Sequence, residues 1–185
     1  MASDPLTRLD LAAVAAGQRA ATADFVRALL PRVRNLVRYL LSGDQDVDDV
    51  AQEALVAVLR GFGSYRGTGR LEAWVDRVVV RETFGWLRRR RSETRRIAPE
   101  VDVTVTEDPR RLTDEYLQRR QVAGLLDALP ADQRHVLVLH YVLGMSVPEI
   151  SQAVEAPVET VRSRLRLGRA RLRGVGATAF DQEAG

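Results

Sequence analysis

The chain has 185 residues, 45% of them hydrophobic, enough apolar content to build one ordinary domain or two small ones. It contains no cysteine, which excludes disulfides and thiolate-bound metals and suits a cytoplasmic setting. Arg, Asp or His interrupts every apolar stretch, so no membrane-spanning run is expected, and Asp4, Arg8 and Asp10 around a short apolar patch do not read as a signal peptide. The net charge is only +3, yet all 28 basic residues are Arg. Guanidinium forks bind phosphate and the guanine edge bidentately, as ammonium groups cannot, so the distribution of these residues matters more than their sum.

Residues 1–20 read as a short Ala-rich helix or a frayed end. From Thr22 to Leu41, Phe25, Leu29, Val33, Leu36, Val37, Leu40 and Leu41 recur at helical spacing. Pro31 lies within that span and predicts a kink or a break, and Gly43 suits a C-terminal cap. The next helix has the cleanest pattern: Val47, Val50, Ala51, Ala54, Leu55, Val58 and Leu59 form one continuous stripe. Asp46, Asp48, Asp49, Gln52 and Glu53 crowd its N-terminal end, where the helix dipole favours anions. A loop with Gly61, Gly63, Gly67 and Gly69 follows, then a third helix from Leu71 carrying Trp74, Val75, Val78, Val79, Phe84 and Trp86 into the run Arg88, Arg89, Arg90 and Arg91.

Hydrophobic periodicity is lost between Ser92 and Asp114, where Pro99 and Pro109 stand among acids and threonines, and a flexible linker is expected there. Helices are then predicted from about Tyr116 to Leu129, over Asp132–Leu143 with Gly144 past the end, over Ser146–Val154, and over Pro157–Arg173, with a tail after Gly174 polar enough to fray. No segment alternates convincingly. The fold class is all-α, as two small helical domains joined by a linker, with expected divisions at 1–21, 22–95, 96–115, 116–175 and 176–185.

The strongest local signal is the stretch 146–165, a helix-turn-helix pattern in which Ile150, Val154, Val161 and Leu165 supply the interhelical packing. Pro157 falls at the first helical position, where its missing N–H costs nothing. The second helix is doubly patterned: Val161, Leu165, Gly168 and Leu172 point inward, while Arg162, Arg166, Arg169 and Arg173 form a parallel stripe. A solvated Arg face is the plainer reading. Turn, proline and charge together favour a major-groove reader, with Glu159, Thr160, Arg162, Ser163 and Arg164 reaching base edges and the later arginines holding phosphates.

The Arg88–Arg91 run, with Arg95 and Arg96 beyond it, is a generic phosphate patch taken alone. Trp74 and Trp86 on the same segment add aromatic faces on which unpaired bases can stack, although a tryptophan is as readily a core anchor. The acidic face from Asp46 is, by itself, dipole compensation; in context it offers a negative surface to a basic partner. Enzymatic chemistry has little support. His135 and His140 read as structural, and the 61–69 loop has no strand before it and no Lys. No cofactor, metal or small-molecule substrate is implied.

The ordered set of motifs resembles the extracytoplasmic-function (group IV) RNA polymerase sigma factors. Asp48-Asp49-Val-Ala-Gln52-Glu53 resembles the acidic helix of sigma region 2. Tyr65-Arg66-Gly67, Ala73-Trp74-Val75 and Arg77-Val78 resemble its aromatic block, and Leu87 to Arg91 its basic close. Leu129-Pro130 with Arg134 resembles the opening of region 4; Glu149-Ile150 and Thr160-Val161-Arg162-Ser163-Arg164-Leu165 resemble its helix-turn-helix.

The resemblance implies region 2 over 22–95 and region 4 over 116–175. It implies core-polymerase binding through Asp46, Asp48, Asp49, Gln52 and Glu53, with the β′ clamp coiled coil and the β flap as partner surfaces. It implies −10 binding through Tyr65, Arg66, Gly67, Trp74, Arg77, Arg81, Trp86 and Arg88 to Arg91, and −35 reading through Arg134, Pro157, Glu159, Thr160, Arg162, Ser163, Arg164, Arg166 and Arg169. Promoter DNA and an anti-sigma factor are the other implied partners. The chain departs from the family pattern at Arg81 (commonly Asn), Gly85 (often Asp), Ser151 (Ala), Glu155 (Gly) and Leu167 (Arg), and Glu155 is expected in a strained or rearranged turn. The alternatives are a helix-turn-helix regulator acting without polymerase, which leaves the first half unused, and a protein-binding adaptor, for which DNA affinity and its salt dependence would be absent.

Overall fold

A computed structural model describes residues 9–94 and 114–183, with side chains described for 9–92 and 117–174. The expected linker therefore lies almost wholly outside the described residues, as do Arg95 and Arg96. Every regular element among the described residues is helical: α1 (Leu11–Ala15), α2 (Arg19–Leu40), α3 (Val47–Gly61), α4 (Leu71–Thr94), α5 (Asp114–Asp127), α6 (Ala131–Leu137), α7 (Val147–Ala153) and α8 (Val158–Glu183). The chain divides into two compact units, one formed by 1–37 and 47–96, the other by 38–46 and 97–185.

In the first unit the apolar stripes become the core. Phe25, Leu29 and Val33 of α2, Val50, Ala54 and Val58 of α3, and Val75 and Val79 of α4 are each 0–1% exposed, and α3 packs along α4. Each fully buried Val, Leu or Phe stabilises the fold by roughly 1.5–3 kcal/mol. That burial explains why α2 runs unbroken through Pro31 instead of ending there. Pro31 sits on the exposed face, and its cost of about 3 kcal/mol is offset by the buried residues on either side. The chain leaves α2 through Gly43, whose φ of 74° is the left-handed conformation that favours glycine. Asp76 of α4 is only 6% exposed; Arg32 of α2 donates to both of its carboxylate oxygens, at 2.8 and 2.6 Å.

In the second unit α8 is the spine, with α5, α6 and α7 all packing on it. The helix after Pro130 is α-helical only to Leu137 and then widens into a π turn over Val138–Val142, ending at Gly144 with φ 68°. His135 is buried, its Nε2 3.1 Å from the Leu40 carbonyl oxygen, and His140 donates from Nδ1 to the Met145 carbonyl at 3.0 Å. Both rings meet a main-chain carbonyl. The tail differs from expectation: α8 continues past Gly174 to Glu183, with no proline in that stretch to interrupt it.

Candidate nucleic-acid interface

The first unit presents two features. The exposed side of α3 carries Asp48, Asp49, Gln52 and Glu53, held outward because the opposite stripe is buried; Asp46 stands just before the helix and is half-buried. Two of the carboxylates already meet arginines of their own unit: Asp48 pairs with Arg34 at 2.6 Å and Glu53 with Arg89 at 3.0 Å. The second feature is an aromatic cluster at the loop between α3 and α4. Phe62, in a 3-10 turn, lies 5.1 Å from Phe25 edge-on, 6.1 Å from Tyr65 and 6.2 Å from Trp74, and Tyr65 and Trp74 are 5.6 Å apart. Such spacings are those of favourable aromatic pairs. The Tyr65 hydroxyl donates to the Gly69 carbonyl at 2.7 Å, which closes the loop over Arg66 and Gly67, the latter at φ 69°. Trp74 lies over Gly61 and remains partly exposed.

The other expected −10 residues are distributed along α4. Arg77, Arg81 and Arg88 to Arg91 are exposed, and Arg81 pairs with Glu82 at 3.1 Å. Trp86 is set apart from the Tyr65–Trp74 pair in its own environment: the guanidinium of Arg90 lies 4.9 Å from its ring centre. This is a cation–π contact, and it occupies a ring face expected from the sequence to meet bases.

In the second unit, α7 and α8 form a helix-turn-helix. Glu149 caps α7 by accepting from the Ser146 backbone N–H at 2.9 Å and its hydroxyl at 2.7 Å, and Pro157 immediately precedes α8, its carbonyl accepting from Val161 at 3.0 Å. The turn between them holds Glu155 at φ 52°, the strained conformation expected for a residue that replaces glycine. The Ser151 hydroxyl donates to the Ala156 carbonyl at 2.6 Å while the Ala156 N–H donates to Ser151 O at 3.1 Å. The two departures from the family pattern thus act together: the serine clamps the turn that the glutamate strains.

Five of the six arginines of α8 fall into two groups, and Arg171 is exposed outside both. Arg162 pairs with Glu159 one turn back, and Arg164, partly buried, pairs with Asp132 of α6 at 3.0 Å. Arg166, Arg169 and Arg173 are exposed and, with Arg162, Leu165, His140 and Tyr141, line a cleft of about 310 Å³. Among the described residues, no acid lines it. Four arginines at i, i+4, i+7 and i+11 repel one another, and a multivalent anion relieves that repulsion. Arg173 belongs to the arginine stripe expected from the sequence; His140 and Tyr141 do not belong to the expected site, and the π turn brings them in.

Arg134 requires a correction. It is 4% exposed, and its guanidinium donates to the carbonyls of Leu126 and Leu129, both at 3.1 Å. Burial lowers its pKa from the usual arginine value, with Asp127 opposing and Arg38 reinforcing that effect. The side chain satisfies free carbonyls at the end of α5 and is not on a surface that DNA can reach.

Comparison with known proteins bears on both units. A family model of Sigma-70 region 2 matches residues 25–93, and one of Sigma-70 region 4 matches 119–172. The SigM extracytoplasmic-function sigma factor of Mycobacterium tuberculosis is 31% identical over 162 residues, covering 88% of this chain and 80% of that protein. The chain belongs to the extracytoplasmic-function RNA polymerase sigma factors. The sigma-E factor of Escherichia coli K12 is 32% identical over 149 residues, 72% of this chain and 75% of that one. SigE of Mycolicibacterium smegmatis is 32% identical over 154 residues, and there the alignment spans 59% of the relative's length.

Two solved structures share the sigma-factor fold. CnrH, in complex with the cytosolic domain of CnrY, matches with a TM-score of 0.54 and 23% identity over 95% of this chain and 97% of that one. The sigma factor RpoE of Bartonella quintana, in complex with the anti-sigma factor NepR, matches with a TM-score of 0.58 and 21% identity over 82% and 94%. Among the described residues of this sigma factor, no helix is long and apolar enough to cross a membrane.

Proposed function

We propose that this sigma factor directs core RNA polymerase to promoters by dividing the work between its two units, acting in the cytoplasm by binding and not by covalent chemistry. In the first unit, the α3 face of Asp48, Asp49, Gln52 and Glu53, with Asp46 just before it in the chain, engages a basic surface of core polymerase. The Tyr65–Trp74 cluster captures an unstacked −10 base, and Arg66, Gly67, Arg77, Arg81 and Arg88 to Arg91 track the separated strand. In the second unit α8 lies in the major groove of the −35 element, with Thr160 and Ser163 near base edges and Arg162, Arg166 and Arg169 on phosphates. Pro157 and Glu159 set the start of that helix. Trp86 and Arg164, each held by a neighbour, position the helices they belong to.

The observation that carries this reading is the order of features: an acidic helix face, an aromatic-lined loop and a basic helix in one unit, a helix-turn-helix with a basic cleft in the other. A regulator working without polymerase has no use for the first unit. Two binding units on one chain also make promoter spacing part of specificity, through effective concentration. The complexes of CnrH with CnrY and of RpoE with NepR support an anti-sigma factor as a further partner of this chain.

The test uses the full chain. Asp49→Arg with Glu53→Arg is expected to abolish co-purification with core polymerase while leaving duplex binding by the second unit intact. Arg166→Ala with Arg169→Ala should do the reverse, retaining the polymerase complex and losing −35-dependent transcription. Loss of both activities in both variants would overturn the division of labour.

A further inference from the structure

The rotation of α8 about its axis is fixed by two contacts. Val161 is 0% exposed, and Gly168 rests on Leu137, where a β-carbon would stand 2.7 Å from Cδ1. Successive helical residues turn by about 100°, so these anchors leave two outward ridges. One is the arginine ridge of Arg162, Arg166, Arg169 and Arg173 along the cleft. The other runs through Thr160, Ser163, Leu167 and Ala170, at i, i+3, i+7 and i+10, and carries no ionisable side chain. Leu167 is 43% exposed on it. It does not belong to an apolar patch, since its ridge neighbours are a serine and an alanine and the residue before it, Arg166, is charged.

We infer that Leu167 reads a thymine: its exposed side chain contacts a thymine 5-methyl group in the major groove of the −35 element. The inference rests on the proposed reading of α8 as the major-groove helix and adds a specificity residue to it. In that groove thymine alone among the four bases presents an apolar knob, beside acceptors and donors on all the others. Leucine has nothing to donate to guanine O6 or N7, so a guanine at that step loses its hydrating water without replacement. Attraction to the methyl and exclusion of guanine act in the same direction. The arginines do not make this choice, because a guanidinium donates to guanine O6 and N7 and so selects guanine over thymine. Arg162 and Arg164 pair with Glu159 and Asp132, Arg166, Arg169 and Arg173 line the cleft, and Arg171 is exposed one turn beyond Leu167.

The experiment takes the full chain assembled with core polymerase and enriches its −35 element from random duplexes. Each thymine of that element, on either strand, is then replaced singly by uracil, which keeps the base pair and deletes only the methyl. At one position uracil should weaken wild-type binding about fourfold, the value of one apolar carbon removed from contact. Leu167→Ala should bind thymine and uracil alike there while keeping every other preference, and Leu167→Arg should shift the enriched base at that step to guanine. Circular dichroism of both variants checks that α8 is intact. An enriched element at which uracil is neutral everywhere, or equally harmful in Leu167→Ala, overturns the role of Leu167 alone. Failure to enrich any −35 element overturns the major-groove reading of α8 itself.

Discussion

Gly168 of α8 and Leu137 of α6 meet where no β-carbon fits: one built on Gly168 would lie 2.7 Å from Leu137 Cδ1 and 3.2 Å from Cγ. Leu137 is itself 3% exposed and has little room to retreat. Glycine in mid-helix costs about 1 kcal/mol relative to alanine, so its presence here marks close approach. Gly168→Val is expected to destabilise the second unit by about 2 kcal/mol or more through overpacking. Gly124 in α5 is the control, exposed and with nothing within 4 Å of an added β-carbon; Gly124→Ala should stabilise by about 1 kcal/mol. Urea unfolding of both variants measures the contrast.

Arg32 and Asp76 form a bidentate pair whose acid is buried and whose base is partly open to solvent. Arg32→Ala leaves a buried carboxylate short of its fork and should cost about 2 kcal/mol, below the roughly 3–5 kcal/mol of a fully buried pair because solvent reaches the arginine side. Asp76→Asn should cost less, since a neutral amide needs less compensation. Thermal melts of the two variants would reverse this order if the pair contributed little.

Arg134 and Arg166 look alike in sequence and are expected to behave oppositely. Arg134→Met strips the Leu126 and Leu129 carbonyls of their donor and should lower stability by about 2–4 kcal/mol. Arg166→Ala should leave stability within about 0.5 kcal/mol. It should instead weaken promoter binding and reduce the slope of log affinity against log salt by about 1, as one phosphate contact is lost. Chemical unfolding and a salt series of binding isotherms separate the two.

The turn of the helix-turn-helix holds opposing terms. Glu155→Gly removes the strain of a left-handed φ and should stabilise by about 1 kcal/mol, while Ser151→Ala removes the clamp on Ala156 and should destabilise by about 1 kcal/mol. In the double variant glycine should reduce the loss caused by alanine, a comparison that equilibrium unfolding makes directly.

The features legible in the sequence are those set by local periodicity. The α3 stripe, the glycines that end α2 and the π turn, the helix-turn-helix and the arginine ridge of α8 all follow from spacing and residue type. The residues misread are those whose environment comes from elsewhere in the chain. Arg134 follows a proline in a polar segment and looks solvated, yet the carbonyl ends of α5 draw it inward. Pro31 signals a kink or a break, and the helix continues through it with Leu29 and Val33 buried on either side. Periodicity alone also does not show the contacts that Trp86 and Arg164 make, with Arg90 one turn on and with Asp132 of another helix.

Both tryptophans of the chain, Trp74 and Trp86, lie on α4, one beside the Tyr65 ring and the other under a guanidinium. The second unit has none. Intrinsic emission excited at the indole band therefore follows the first unit alone, and a base sliding against Trp74 should quench it while occupancy of α8 leaves it unchanged. On the proposed reading the chain carries its own optical reporter of strand capture, silent to duplex binding, with no label attached.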